Sequence, residues 1–162
     1  MWGIFMLTAL LAVGGYAALS SEQQLQVSQQ SVTRVMAENM GLYRQAVVNY
    51  FALYPLDFST VSVTVLTQLQ LLPSWQATTL GADWTNARAA DGTVYIFSAR
   101  ATPPPIVSDV LQLSQQSILV GVYRSGDTTL YSPVFGNTGI TLAATITSRI
   151  PKGSVLWLST PA

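Results

Sequence analysis

Apolar and polar positions along this chain fall into three regimes. From Trp2 to Leu19 there is no charge and no proline. As a helix that stretch rises about 27 Å, close to the roughly 30 Å of a bilayer core. Trp2, Ile4, Phe5, Leu7, Leu10, Leu11, Val13 and Leu19 are the expected anchor residues. Apolar residues of this kind each favour insertion by about 0.3–0.6 kcal/mol at the centre of a span, so the sum is modest against Thr8 and three glycines. Gly14 and Ala18 form a small-xxx-small pair suited to contact with another membrane helix.

From Ser20 to Phe51 the pattern becomes amphipathic. Leu25, Val32, Met36, Met40, Tyr43 and Val47, joined by Val35 and Tyr50, recur at spacings of three, four and seven and define a core-facing helical stripe. Ser21 with Gln24 offers a capping box for a separate helix; alternatively the apolar helix continues through. Tyr54-Pro55 ends the element, because the residue before proline avoids the α region. Residues 63–72 mix strand-like alternation with helical spacing; a short helix capped by Ser62 and stopped by Pro73 is the preferred reading, with Trp75 on the loop beyond.

After residue 84 the period shortens. Trp84–Ala90 and Thr93–Ala99 flank Asp91-Gly92 and read as a hairpin with a two-residue type I′ turn. Pro103-Pro104-Pro105 is a stiff connector to a helix over Ile106–Gln115. Ser117–Arg124 and Thr128–Ser132 form a second hairpin around Ser125-Gly126-Asp127. Gly136-Asn137 and Gly139 suggest another turn. Ile140–Thr147 and Ser154–Ser159 read as closing strands, the last apolar enough to lie inside a sheet. Helices first and strands afterwards imply an α+β fold with an antiparallel sheet. The expected organisation is a transmembrane anchor over 1–20 and one extracytoplasmic α+β domain over 21–162.

Composition narrows the chemistry. The chain has 162 residues, 49% hydrophobic and only 9% charged, with seven basic and seven acidic side chains. Its few cations are scattered, whereas phosphate-backbone binding needs them clustered; no nucleic-acid partner is expected. There is no cysteine and no histidine. That removes disulfides, thiolate chemistry, the commonest metal ligand and the usual catalytic triad. Asp83 and Asp91 are near in sequence, but one precedes a strand and the other is a turn residue. Lys152, the sole lysine, sits in a Pro-Lys-Gly turn, and Lys152-Gly153-Ser154 reverses the order of a phosphate-binding loop. No catalytic residue, cofactor, metal or small-molecule substrate is expected, and the chain is read as no enzyme.

The N-terminal run admits three readings: a retained anchor, a cleaved signal peptide with Ala17, Ala18 and Ser20 near the cleavage point, or a buried core helix. The anchor is preferred because no basic residue precedes the run and it exceeds the usual signal core. Flanking charge does not encode orientation, Arg34 being the first cation after the run.

Met1-Trp2-Gly3-Ile4-Phe5, Leu71-Leu72-Pro73-Ser74-Trp75 and Ile150-Pro151-Lys152-Gly153, taken in that order along the chain, resemble the PilM family of conjugative-plasmid type IVB thin-pilus operons. This is distinct from the actin-like ATPase that shares the name. The resemblance implies a pilin-like fold in a single-pass inner-membrane protein with its C-terminal domain in the periplasm. It implies a non-catalytic part in the basal body or pilin transport, with other pilus-assembly proteins or pilins as partners. No basic leader ending in glycine precedes the apolar run, and no glutamate stands near its fifth position. Both features separate the chain from polymerising pilins and favour a permanent tether. The competing expectations are a minor filament subunit and a periplasmic binding or adhesive module with Trp75 and Trp84 at its site.

Overall fold

The computed structural model describes residues 2–57 and 60–160, with side chains from Ser28 onward. The chain divides into two units, Met1–Thr33 and Arg34–Ala162. The anchor residues Trp2, Ile4, Phe5, Leu7, Leu10, Leu11, Val13 and Leu19, the pair Gly14 and Ala18, and Leu25 all fall outside the described side chains, as does the expected boundary after residue 20. Among the described residues no helix is long and apolar enough to cross a membrane.

Helix α1 spans Trp2–Leu53 as one element, so the capping-box alternative at Ser21 is not the one adopted. It stops where expected, one residue before Tyr54-Pro55. Within the second unit the described residues add α2 (Val63–Gln68), α3 (Ser74–Asp83), α4 (Val107–Leu113) and α5 (Ala144–Thr147). Six strands follow the order β1 (Trp84–Arg88), β2 (Val94–Ser98), β6 (Val155–Ser159), β3 (Val120–Val122), β4 (Thr129–Ser132) and β5 (Gly136–Thr141), each antiparallel to its neighbour. The α+β class and antiparallel sheet are as the sequence implied.

The sheet is covered on both faces. Strands β2 and β6 alternate their side chains between two cores, which explains their continuous apolar sequences. Val94, Ile96 and Val155 face Met40, Tyr43 and Val47 of α1, together with Leu66, Leu80 and Val110 of the shorter helices. Tyr95, Phe97, Leu156 and Leu158 face the opposite way, onto Leu130, Leu142, Ile146 and Ile150. Each fully buried aliphatic or aromatic side chain contributes roughly 1.5–3 kcal/mol of transfer energy, so both layers hold the sheet.

Several local expectations are corrected. Val32 is 55% exposed, because the layer of core side chains facing α1 begins only at Met36 and Ala37. Met36 is partly buried, whereas Met40, Tyr43 and Val47 are fully inside. Helix α2 is capped by Ser62 as expected, the hydroxyl accepting from the Val65 N–H, but it ends at Gln68 rather than at Pro73. Gln70 takes a left-handed conformation there, and Leu71 and Leu72 both donate to the Leu66 carbonyl. Pro73 therefore opens α3, and Trp75 is helical rather than in a loop. The β1–β2 connection is not a two-residue type I′ turn. Gly92 donates to the Ala89 carbonyl and alone takes positive φ, which is a type I turn followed by a glycine bulge. Gly136 and Gly139 lie within β5, where their positive φ accompanies a register shift against β4. Residues 144–147 form α5 instead of extending a strand.

Candidate functional site

The C-terminal end of α1 is held by several polar contacts. Tyr54 continues the helical ladder with one bond to the Tyr50 carbonyl, and Asp57 donates back to Tyr54, closing a tight turn over Pro55 and Leu56. Arg88, at the end of β1, reaches across to this turn. Its Nη1 donates to the carbonyls of Pro55 at 2.8 Å and Asp57 at 3.1 Å, and more weakly to Tyr54 at 3.5 Å. The guanidinium also lies 5.2 Å from the centroid of Phe51. A cation placed there pairs carbonyls of the turn that follows the helix and complements the negative end of its dipole. The Tyr50 hydroxyl donates to Asp57 Oδ2 at 2.7 Å, and that bond, with the nearby carboxylate charge, raises the Tyr50 pKa.

This turn presents Leu53, Tyr54, Pro55 and Leu56 to solvent, with Leu53 63%, Tyr54 44% and Leu56 87% exposed. Beside it runs an open groove of about 450 Å³ between α1, the β1–β2 turn and the end of β6, lined by Val48, Phe51, Pro55, Arg88, Val94 and Ser159 among others. Sequence reasoning treated Tyr54-Pro55 only as a helix terminator. The available signal was an apolar run, Ala52 to Leu56, continuing past the core residue Phe51, where a loop is normally polar.

A buried polar knot fixes α1, at Tyr43, to the sheet edge. Asn86 is fully buried on β1. Its carbonyl accepts from Val61 N–H at 3.0 Å, and its amide donates to the Val61 carbonyl at 2.8 Å and to the Tyr43 hydroxyl at 2.6 Å. Burial pushes the Tyr43 phenol up to about 12 despite the opposing Asn86 bond. On the other flank, Arg44 stacks 5.0 Å from the Trp157 centroid and donates to the Leu158 carbonyl at 3.4 Å. Burial lowers its pKa.

The acidic and nucleophilic groups considered from sequence are not brought together. Asp83 is buried and paired with Arg100, whose Nε donates to it at 2.7 Å. Asp91 accepts from the Thr93 N–H at the far end of the hairpin. Lys152 is exposed in a turn in which Gly153 has positive φ and Ser154 donates to the Pro151 carbonyl. The buried Ser154 hydroxyl accepts from the Ser98 N–H and donates to a main-chain carbonyl. Among the described residues no cluster of three or more acidic side chains could hold a metal ion. Trp84 is buried in the helix-side core, while Trp75 stands 78% exposed on α3, so the two tryptophans do not line one site.

A family model for PilM matches residues 7–158, nearly the whole chain. The chain belongs to the PilM family. No curated protein and no solved structure matches it. Membership in PilM gives the chain a pilus-related role and makes other pilus proteins its class of partner. The match runs through α1, the sheet and the Ile150–Gly153 turn, so the expected family is the one found.

Proposed function

We propose that this PilM-family chain is a non-catalytic, inner-membrane component of type IVB pilus biogenesis, acting as a scaffold in the basal body or in pilin transport and supporting conjugation. Its N-terminal residues 1–20 anchor it, and its α+β domain stands in the periplasm. The family match over residues 7–158 carries this reading. Two further features support it. The apolar, uncharged run from Trp2 to Leu19 suits a tether. The domain also invests its buried polar groups in holding surfaces still rather than in gathering reactive groups, which suits a protein that binds proteins.

The test is fractionation and affinity purification of the tagged full-length chain from cells making the pilus, alongside a deletion strain. Recovery in the inner membrane with pilus-assembly proteins, and loss of pili on deletion, are expected. Recovery mainly in sheared filaments would replace the scaffold by a filament subunit. A mature N-terminus near Ala18 or Ser21 would remove the anchor, and normal piliation in the deletion strain would remove the role.

A further inference from the structure

We propose that α1 carries a second seam, at Val35, Asn39 and Leu42, on which the same helix of a second copy lies parallel and in register. This goes beyond the scaffold reading, and it uses residues that remain whether or not the first twenty are retained.

Helix α1 is long, but the chain itself covers little of its described part before Met36 and Ala37, where core packing begins. Ser28 to Val32 are exposed and Thr33 is only partly covered. The hydroxyls of Ser31 and Thr33 donate back to the carbonyls of Ser28 and Gln30, a bonding that slightly destabilises helices. A largely polar helix without tertiary packing is marginal in water. What such a segment lacks is a neighbouring helix.

The uncovered residues are spaced for one. Val35 and Leu42 are 54% and 49% exposed and lie one heptad apart, with Asn39 between them. In heptad terms Val35 and Leu42 take d and Asn39 takes a. In the sequence Val32 and Leu25 continue the a positions, and the expected helix-contact pair Gly14 and Ala18 falls on d and a of the same register. The charged residues of α1, Glu22, Arg34, Glu38 and Arg44, all fall outside a and d. Met40, Tyr43 and Val47, which enter the core of the chain's own domain, occupy b and e, a different face. The seam stops at Ala46, an a position buried in that core.

Asn39 identifies the neighbour. It is partly buried, and its side chain makes no hydrogen bond to any described residue. An amide carries both donor and acceptor, so it pairs with its own copy across a two-fold axis. A lone asparagine at a is how two-stranded parallel coils fix their register, and Val at a with Leu at d, as at Val32 and Leu42, favours two strands. A foreign helix must bring its own amide opposite Asn39; the same helix of a second copy has it there.

The chain has no cysteine, so introduced thiols report contacts directly. Val35→Cys and Leu42→Cys, each in the full-length chain and oxidised mildly in intact cells, are both expected to give covalent homodimers. Arg34→Cys is the control, at nearly the same height on another face and with an exposed side chain. Adding Asn39→Asp to Leu42→Cys sets two carboxylates face to face and should cut the homodimer about tenfold or more. That variant should keep the near-ultraviolet circular dichroism of the buried Trp84 and Tyr43, which separates lost association from lost folding. No homodimer at either d position, or adducts only with another protein, overturns the proposal. Homodimer at one d position alone, the mark of an antiparallel pair, overturns it too. So does equal crosslinking at Arg34→Cys, or a homodimer indifferent to Asn39→Asp.

Discussion

Asn86 offers the sharpest test of how the domain holds α1. Replacing it with leucine keeps the branched heavy-atom skeleton but strands three groups: the Val61 N–H, the Val61 carbonyl and the Tyr43 hydroxyl. A buried polar group left unpaired costs about 1–3 kcal/mol, so the limits for three are roughly 3 and 9 kcal/mol. The lower end applies, because Thr60 and Ser62 on either side of Val61 are exposed and the segment can turn towards water. We expect Asn86→Leu to cost about 3–4 kcal/mol. With a urea slope of about 1–3 kcal/mol per molar, the unfolding midpoint falls by roughly 1–4 M, read by tryptophan fluorescence. Tyr43→Phe removes one acceptor only and should cost about 1–2 kcal/mol. In the Asn86→Leu background the same change should cost nothing or stabilise, because it deletes a stranded hydroxyl. The cycle should therefore show a coupling of about 1–2 kcal/mol. Equal cost of Tyr43→Phe in both backgrounds, or a midpoint shift under about 0.5 M for Asn86→Leu, would refute the knot as a stabilising unit.

The Tyr43 phenol is raised to about 12 from an ordinary value of 10.0, so the folded state holds its proton more tightly than the unfolded state. Stability is then unaffected below pH 10 and falls between pH 10 and 12 by up to about 2–3 kcal/mol, a slope that Tyr43→Phe should flatten in alkaline unfolding curves. Gly41 lies within α1 with room for a methyl group 3.6 Å from the Trp157 ring, so Gly41→Ala should stabilise by about 0.5–1 kcal/mol in thermal melts. Gly121→Ala should instead cost about 1–3 kcal/mol or more, its Cβ running into the Tyr131 carbonyl and the Leu130 side chain. Gln70→Gly should gain about 1 kcal/mol by relieving a left-handed residue, seen as a higher urea midpoint. Trp84→Ala should cost about 3–5 kcal/mol, whereas Trp75→Gln should stay within about 0.5 kcal/mol by the same measurement.

The parts of the fold legible in the sequence were those carried by periodicity. The helical stripe from Met36 to Val47 and the apolar strand at Val155–Leu158 each repeat a pattern that one packing face or one sheet interior demands. The Ser62 cap was legible too, because a hydroxyl before a helix has one obvious partner. Helix ends were not. At Gln70, Gln115 and Gln116 the left-handed stop is made by glutamine, where a glycine would have announced it. Glycine misled in the opposite direction at Gly136 and Gly139, whose positive φ belongs to an irregular strand. Val32 continued the stripe past the point where anything faces it, since periodicity records a helix but not where its neighbours begin. The exposed turn at Leu53–Leu56 was not legible, Tyr54-Pro55 marking only where the helix stops. What decides its exposure is Arg88, thirty-odd positions later in the chain, and no local pattern encodes that clamp.

Strand β6 is the last element in sequence, yet it lies between β2 and β3 in the sheet. A chain emerging from the ribosome can close β1 on β2 and β3 on β4 as local hairpins, but these halves have no ladder in common until residues 155–159 arrive. The domain is thus vectorially incomplete for almost its whole synthesis, and a stop codon anywhere before β6 leaves two disconnected ribbons with open edges. Insertion of that one strand converts both hairpins into a single sheet and seals both cores in the same step. Truncation before β6 therefore costs the whole sheet rather than one edge of it, because the last strand is the one that joins its halves.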